Sequence, residues 1–333
     1  MIKNFKADIC IIGGGAGGLT VAAAASQMGA NTILIEKNRT GGDCLYYGCV
    51  PSKALLASGS RARSVKGANK FGIAVASSRV IDSVVYDHLK DTIRAIEPND
   101  SEERFEGLGV KILKGAPKFF SKKEVMVGEF QVRAKKFVIA TGSSPLIPEI
   151  QGLNKVEYFT NQTIFDLGKI PKHLIILGGG PTGVELAQAY SDLGSAVTII
   201  DVLSIMNKED PELVGVIRSS LIERGVNILE GATIKNIEEF DNRIQVKIQR
   251  EGVLQDLLGS HLLVCVGRSA NVHSLGLGVA GVVHSSSGIK VNQNLQTSNK
   301  KIFAIGDVLG TSQFTHVAAY HASIVIKNIL LKI

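Results

Sequence analysis

Apolar residues in this chain gather in short runs that end in glycine. Ile9-Cys10-Ile11-Ile12 runs straight into Gly13-Gly14-Gly15-Ala16-Gly17-Gly18. A run of four or five apolar residues without alternation suits a strand buried on both faces, as in a parallel sheet. The spacing predicts a strand at Asp8–Ile12, an alanine-rich helix at Leu19–Met28 and a second strand at Thr32–Ile35 ending in Glu36. The same order returns downstream. His173–Leu177 leads into Gly178-Gly179-Gly180-Pro181-Thr182-Gly183, followed by a helical Val184–Leu193, a strand Val197–Ile200 and Asp201. In each copy the acid lies 23 positions beyond the first glycine, 13 to 36 and 178 to 201.

The echo extends further. Gly109-Val110-Lys111-Ile112-Leu113-Lys114-Gly115-Ala116 reappears as Gly225-Val226-Asn227-Ile228-Leu229-Glu230-Gly231-Ala232. Each is followed by a β-rich hairpin region and an apolar strand closing on glycine, Phe137–Gly142 and Leu262–Gly267. A repeat of this size sets the fold class: α/β, with two Rossmann-like dinucleotide-binding domains of the three-layer ββα type.

Strand, glycine turn, helix, strand and acid form a dinucleotide fingerprint, and each part has a physical task. Gly13 and Gly178 make the tight turn, Gly15 and Gly180 let backbone approach a pyrophosphate, and Gly18 and Gly183 let helix pack against sheet. The phosphates meet the helix N-terminus, and Glu36 and Asp201 accept hydrogen bonds from a ribose diol. No arginine follows Asp201 within the next several residues. A carboxylate there repels a 2′-phosphate, so NADH is expected in preference to NADPH.

The first copy is enlarged between Glu36 and Gly107 by an expected helix near 83–105 and by a segment carrying two cysteines. Cys44 and Cys49 stand five positions apart, with Gly48 before the second and Pro51-Ser52-Lys53 after it. On a straight helix their Cα atoms would be roughly 8 to 9 Å apart, beyond the ~7 Å limit of a disulfide. The segment must bend if the pair is to close, and Gly48 allows the bend. Pro51 suits the first turn of a following helix. Cys49 then sits at the positive end of that helix with the Lys53 cation one turn on, which favours a thiolate. Two packing cysteines that never meet are the alternative, against which the bracketing residues argue. The pair reads as redox-active.

Composition bounds the rest. The 333 residues are 45% apolar and 20% charged, enough for two domains with cores. The net charge of +7 is spread without a polybasic block, so nucleic acid is not an expected partner. No run reaches the ~18 apolar residues of a membrane span. Lys3 and Lys6 precede an apolar run, but Asp8 and the glycines mark it as a strand and not a signal peptide, so a cytoplasmic location is expected. Four cysteines in such a chain do not make a disulfide framework, and Cys10 and Cys265, inside strand-like runs, are expected to pack. No metal site is expected.

The stretch Gly41-Gly42-Asp43-Cys44-Leu45-Tyr46-Tyr47-Gly48-Cys49-Val50-Pro51-Ser52-Lys53 resembles the active-site signature of the class I pyridine nucleotide–disulfide oxidoreductases, the family of dihydrolipoamide dehydrogenase, glutathione reductase and mercuric reductase. Tyr46 departs from the usual asparagine. The segment Thr297–Asp307 is similar to the family's second flavin motif, and Gly267-Arg268-Ser269-Ala270-Asn271 to its crossover segment. The resemblance implies FAD on a discontinuous domain, 1–147 with 268–333, and NAD on 148–267. It implies a redox-active disulfide between Cys44, which exchanges with substrate, and Cys49, which contacts the flavin, with Lys53 and Glu185 completing the catalytic set. Its cofactor-binding positions here are Gly13, Gly15, Ala16, Gly18, Glu36, Lys37, Gly42, Asp43, Lys53, Ala116, Thr141, Gly142, Gly306 and Asp307 for the flavin. For the nicotinamide they are Gly178, Gly180, Gly183, Glu185, Asp201 and Gly267.

The implied activity is an NAD(P)H-dependent flavoprotein disulfide oxidoreductase acting on a small-molecule or protein disulfide. Family members continue past the second flavin motif with a dimerisation domain that supplies a histidine base to the other subunit, and this sequence stops at Ile333. Loss of a general base costs about 10² to 10⁴-fold. Impaired substrate turnover is therefore the expectation, or else a partial subunit that keeps flavin binding and diaphorase-type activity, with a partner chain supplying the domain. His316 and His321, in an expected last helix Thr315–Leu330, read as packing or capping residues.

Overall fold

The computed structural model describes residues 2–331. The chain forms two compact units, one of Met1–Tyr46, Arg94–Ser144 and Arg268–Ile333, the other of Tyr47–Ile93 and Pro145–Gly267.

The first unit is built on a seven-stranded sheet. Its parallel part runs, edge inward, Lys111–Lys114, Thr32–Glu36, Lys3–Ile12 and Phe130–Ile139, with Ile302–Ala304 beyond. The ten-residue strand Phe130–Ile139 joins two regimes. Its first residues pair antiparallel with Glu124–Val127, and its last three pair parallel with Ile302–Ala304. Alternation on the central strand sorts the layers. Ile9 and Ile11 pack with Leu19, Val21, Ala22 and Ala25 of the helix Ala16–Gln27 and with the helix Thr315–Ile326. Cys10 and Ile12 face the other way, onto Phe119, Val125 and Val132 of the meander. Cys10 is fully buried, and burial raises its thiol far above the ordinary range. Helix, sheet and meander are the three layers expected.

The second unit repeats the plan with shorter strands. Asn227–Leu229, Ala196–Ile200, His173–Leu177 and His261–Val264 form a parallel sheet in the corresponding order. Leu174, Ile176 and Ile199 face the helical layer, while Ile175, Leu177 and Ile200 face Ile237, Val246 and Ile248 of the meander. This meander, Thr233–Phe240, Arg243–Arg250 and Val253–Gly259, is a sheet of its own.

The cysteine-bearing helix belongs to this second unit by its packing. Cys49–Lys66 lies along the helix Pro181–Asp192, and Gly59 permits the approach, because a Cβ there would lie 2.9 Å from the Ala189 carbonyl oxygen. The single helix expected near 83–105 is two. Asp82–Ile96 gives way to a 3-10 turn at Glu97–Asp100, which holds Pro98, and Glu102–Gly107 restarts on Ser101, whose Oγ accepts the Arg104 amide at 3.2 Å. The last helix, Thr315–Ile326, ends in a wider π-helical turn at Lys327–Leu331.

Candidate functional site

The two glycine turns are built alike. Gly13 and Gly178 have φ of +108° and +102°, and a Cβ would lie 2.3 Å from the Ala140 carbonyl oxygen in one and 2.4 Å from that of Cys265 in the other. A Cβ on Gly18 would lie 1.9 Å from the Gly13 oxygen, and on Gly183 2.1 Å from the Gly178 oxygen. Only glycine fits these four positions. By contrast a Cβ on Gly180 would meet nothing within 4 Å, and one on Gly15 only the Gly42 Cα, at 4.0 Å. These are the glycines beside the helix ends. Both helices, Ala16–Gln27 and Pro181–Asp192, begin on a glycine N-cap with no side-chain cap and no acid in the first turn. Their leading N–H groups are left for an anion.

The acids are tied to the turns. Glu36, only 8% exposed, accepts the Gly14 amide at 2.6 Å and the Asn38 amide at 2.7 Å. Asp201 accepts the Gly179 amide at 2.6 Å and the Leu203 amide at 2.8 Å. In the first unit Gly42 approaches the turn so closely that its Cβ would lie 2.7 Å from the Gly15 Cα.

A polar network stands in the first unit. Arg268 donates from Nε to Ser143 Oγ at 2.7 Å and from Nη2 to the Ser143 carbonyl at 3.1 Å. Its Nη2 also lies 3.1 Å from Asp43 Oδ2, and Ser143 Oγ donates to Asp307 Oδ2 at 2.6 Å. Thr141 Oγ1 donates to the Asn271 carbonyl at 2.9 Å, and the Gly142 carbonyl accepts the Asn271 amide at 3.0 Å. Gly306 donates its amide to His321 Nδ1 at 3.2 Å. That acceptor role needs a neutral imidazole, and burial lowers the His321 pKa accordingly. His316 stacks on Phe314. Lys37 and Ala116 are exposed.

The cysteines lie on successive helices. Cys44 is half-buried on Gly42–Tyr46, the chain turns at Tyr47 and Gly48, and Cys49 is the exposed first residue of Cys49–Lys66. Within the second unit, Ser52 Oγ donates to Glu185 Oε1 at 2.9 Å and lies 3.4 Å from the Cys49 carbonyl oxygen. Lys53 pairs with the same Glu185 oxygen.

A sequence profile of the pyridine nucleotide-disulphide oxidoreductases matches residues 7–322. The chain belongs to that family. A mercuric reductase from Lysinibacillus sphaericus is 35% identical over 98% of this chain, which spans 60% of that relative's length. A dihydrolipoyl dehydrogenase from Geobacillus stearothermophilus is 31% identical over 96% of the chain and 69% of its own length. Among solved structures, the HOCl-induced flavoprotein disulfide reductase RclA of Escherichia coli in its Cu(II) complex superposes with a TM-score of 0.86. It is 26% identical, over 98% of this chain and 71% of that one.

Membership in the pyridine nucleotide-disulphide oxidoreductases implies FAD and a nicotinamide dinucleotide as cofactors. The residues present fit both: two uncapped helix ends, each beside a glycine open to the surroundings, and two acids fixed by the turns they serve. The structure brings Asp43 and Asp307 into one network, and Lys53 and Glu185 into one ion pair. Sequence reasoning named these four as site residues, quoted Arg268 and Ser52 only as members of motifs without a role, and missed Ser143; these three join them. Arg268 and Ser143 each follow a strand-ending glycine of the repeat, the one signal that could have found them. Among the described residues no helix is long and apolar enough to cross a membrane.

Proposed function

We propose that the chain forms the dinucleotide-binding units of a flavoprotein oxidoreductase that moves electrons from NADH through FAD to the Cys44–Cys49 disulfide. The observation that carries this is the pair of glycine turns, alike in geometry, in one chain with the cysteine segment. The substrate is a small-molecule or protein disulfide. Bound FAD supplies the chemistry that side chains lack, taking hydride from reduced nicotinamide and giving two electrons to sulfur.

The chain's residues hold, orient and protonate. Backbone N–H groups at Gly15–Gly18 hold the flavin pyrophosphate and Glu36 the adenosine ribose. Asp307 holds the ribitol hydroxyls, fixed by Ser143 and Arg268, while Arg268 also neutralises Asp43. Gly180–Gly183 and Asp201 hold the nicotinamide dinucleotide in the same manner. The two Asp201 oxygens each accept a backbone amide, and the residues beside it, Val202 and Leu203, are exposed and uncharged. A 2′-phosphate would meet the Asp201 carboxylate with no cation on the two residues after it, so NADH is the donor. Opening the disulfide to a thiol and a thiolate takes two electrons and one proton. Cys49, at the start of an 18-residue helix with no acid in its first turn, is placed to carry negative charge as the bond opens. Cys44 takes a proton and exchanges with the substrate. Glu185, shared by Ser52 and Lys53, fixes the Lys53 ammonium beside the helix start.

Reconstitution with FAD followed by anaerobic NADH titration tests the proposal. The protein should turn yellow, one equivalent of NADH should leave the flavin oxidised with a long-wavelength band from the Cys49 thiolate, and excess NADH should bleach it. A protein that stays colourless with FAD contradicts the reading.

A further inference from the structure

The second unit holds a groove that the proposed reaction does not use. It has a volume of about 770 Å³, in the range of small-molecule sites. One wall is the C-terminal half of Cys49–Lys66, which offers Ala57, Ser58, Arg61, Ala62, Val65 and Lys66. These positions recur every turn, so one helix face lines the groove. The small residues at 57, 58 and 62 keep it open. The other wall is Ile81, Val84, Val85 and His88, again spaced three and four apart, at and after the start of Asp82–Ile96. Arg79 and Val80 bring the connecting segment across, and Leu193 also lines it.

The charges there have one sign. Arg61, Lys66 and Arg79 line the groove together with the His88 imidazole, and no carboxylate does. None of the three permanent cations makes an ion pair with a described residue. Arg63, on the same helix but outside the groove, is by contrast neutralised by Asp192 and Glu223. The apolar surface is equally unbalanced. Ile81 is 52% and Val84 58% exposed, and the segment leading to them exposes Phe71 at 82% and Ile73 at 59%. So many large apolar side chains exposed in one stretch mark a surface suited to binding. Unpaired cations around an apolar trough match a molecule with an acid at one end and a hydrocarbon at the other.

We propose that this groove binds an amphipathic organic anion, with the acid among Arg61, Lys66, Arg79 and His88 and the chain along the stripe Val80, Ile81, Val84 and Val85. The site lies in one unit, and its lining residues are none of those assigned to FAD, nicotinamide or the cysteines. It goes beyond the electron path and does not rest on it.

Calorimetric titration of the full chain with dodecanoate, below its micelle concentration, tests this. One equivalent should bind with a Kd on the order of 10 µM. Dodecyltrimethylammonium and 1-dodecanol should bind at least ~10-fold more weakly, and affinity for dodecanoate should fall as salt rises. The double variant Arg61→Gln, Arg79→Gln should lose at least ~10-fold, corresponding to about 1.4 kcal/mol, with FAD content and bleaching by NADH unchanged. Ala62→Trp should abolish binding by filling the trough. If the double variant does not fold, the salt series and the cationic probe in the native chain still decide. Equal binding of the cationic probe, affinity untouched by salt, or many weak equivalents would overturn the proposal. So would sedimentation showing a dimer that covers the groove and excludes dodecanoate, or binding to phosphatidylglycerol vesicles without binding of the free acid.

Discussion

The two dinucleotide units are closest where their glycine turns are compared and furthest apart where their sheets end. Turn geometry agrees to within a few degrees at Gly13 and Gly178, and both acids accept an amide of their own turn at 2.6 Å. Yet the first unit carries its meander on the parallel sheet and the second sets it apart. The cause is strand length. Phe130–Ile139 has ten residues and reaches both regions, whereas His261–Val264 has four and begins only after Ser260, where the meander strand Val253–Gly259 has already ended. The surroundings of the turns differ too, with Gly42 crowding Gly15 in the first unit and Ile205 lying 2.6 Å from a Cβ on Gly179 in the second. Steric necessity holds the turn to one geometry, while the elements around it are free to differ.

Breaking one turn at a time separates the units. Gly18→Ala drives a Cβ onto the Gly13 oxygen and should cost on the order of 3 kcal/mol or more, leaving protein without flavin by its absorbance ratio at 450 and 280 nm. Gly183→Ala should keep the flavin and lose bleaching by NADH. If both variants lose flavin equally, the turns are not separate sites. Next in size, Lys53→Met should slow flavin reduction by about 10-fold in stopped flow. Lys53 is 64% exposed in its ion pair, so its loss should change stability by under ~1 kcal/mol. A large fall in melting temperature with unchanged reduction would make Lys53 a structural residue. Replacing Asp201 by serine should lower the preference for NADH over NADPH by roughly 10-fold in kcat/KM with a dye acceptor, and an unchanged ratio would remove Asp201 from the ribose site.

The smallest effect concerns pH. His321 has its folded pKa below the unfolded value of about 6.5, because burial disfavours the charged ring and Nδ1 accepts the Gly306 amide. A depressed folded pKa means the unfolded chain binds the proton more readily. Its contribution is therefore intact above pH ~6.5 and is lost as pH falls toward the folded pKa. Melting temperature should drop less between pH 7 and 5 in His321→Gln than in the native chain.

Much of the fold was legible because glycine and acid spacing admit few structures. The strand His173–Leu177 falls where its apolar run lies, and the glycine fingerprints announce both helices, although each starts three residues earlier than expected, at Ala16 and Pro181 and not at Leu19 and Val184. What escaped was tertiary. The break at 97–101 turns on Pro98 and on a Ser101 cap, both local signals overlooked inside an amphipathic run. That the helix after Cys49 packs with the second unit depends on Gly59 meeting Ala189, a contact 130 residues apart in sequence. Arg268 and Ser143 were invisible as a pair for the same reason, lying 125 positions apart.

The most direct test of the electron path counts sulfur. FAD-loaded protein is treated anaerobically with one equivalent of NADH, alkylated, and mapped by mass spectrometry. The account predicts two new alkylated thiols per chain, at Cys44 and Cys49, with Cys10 and Cys265 unchanged from the untreated sample. No gain at positions 44 and 49, with flavin bleached by NADH, would contradict it.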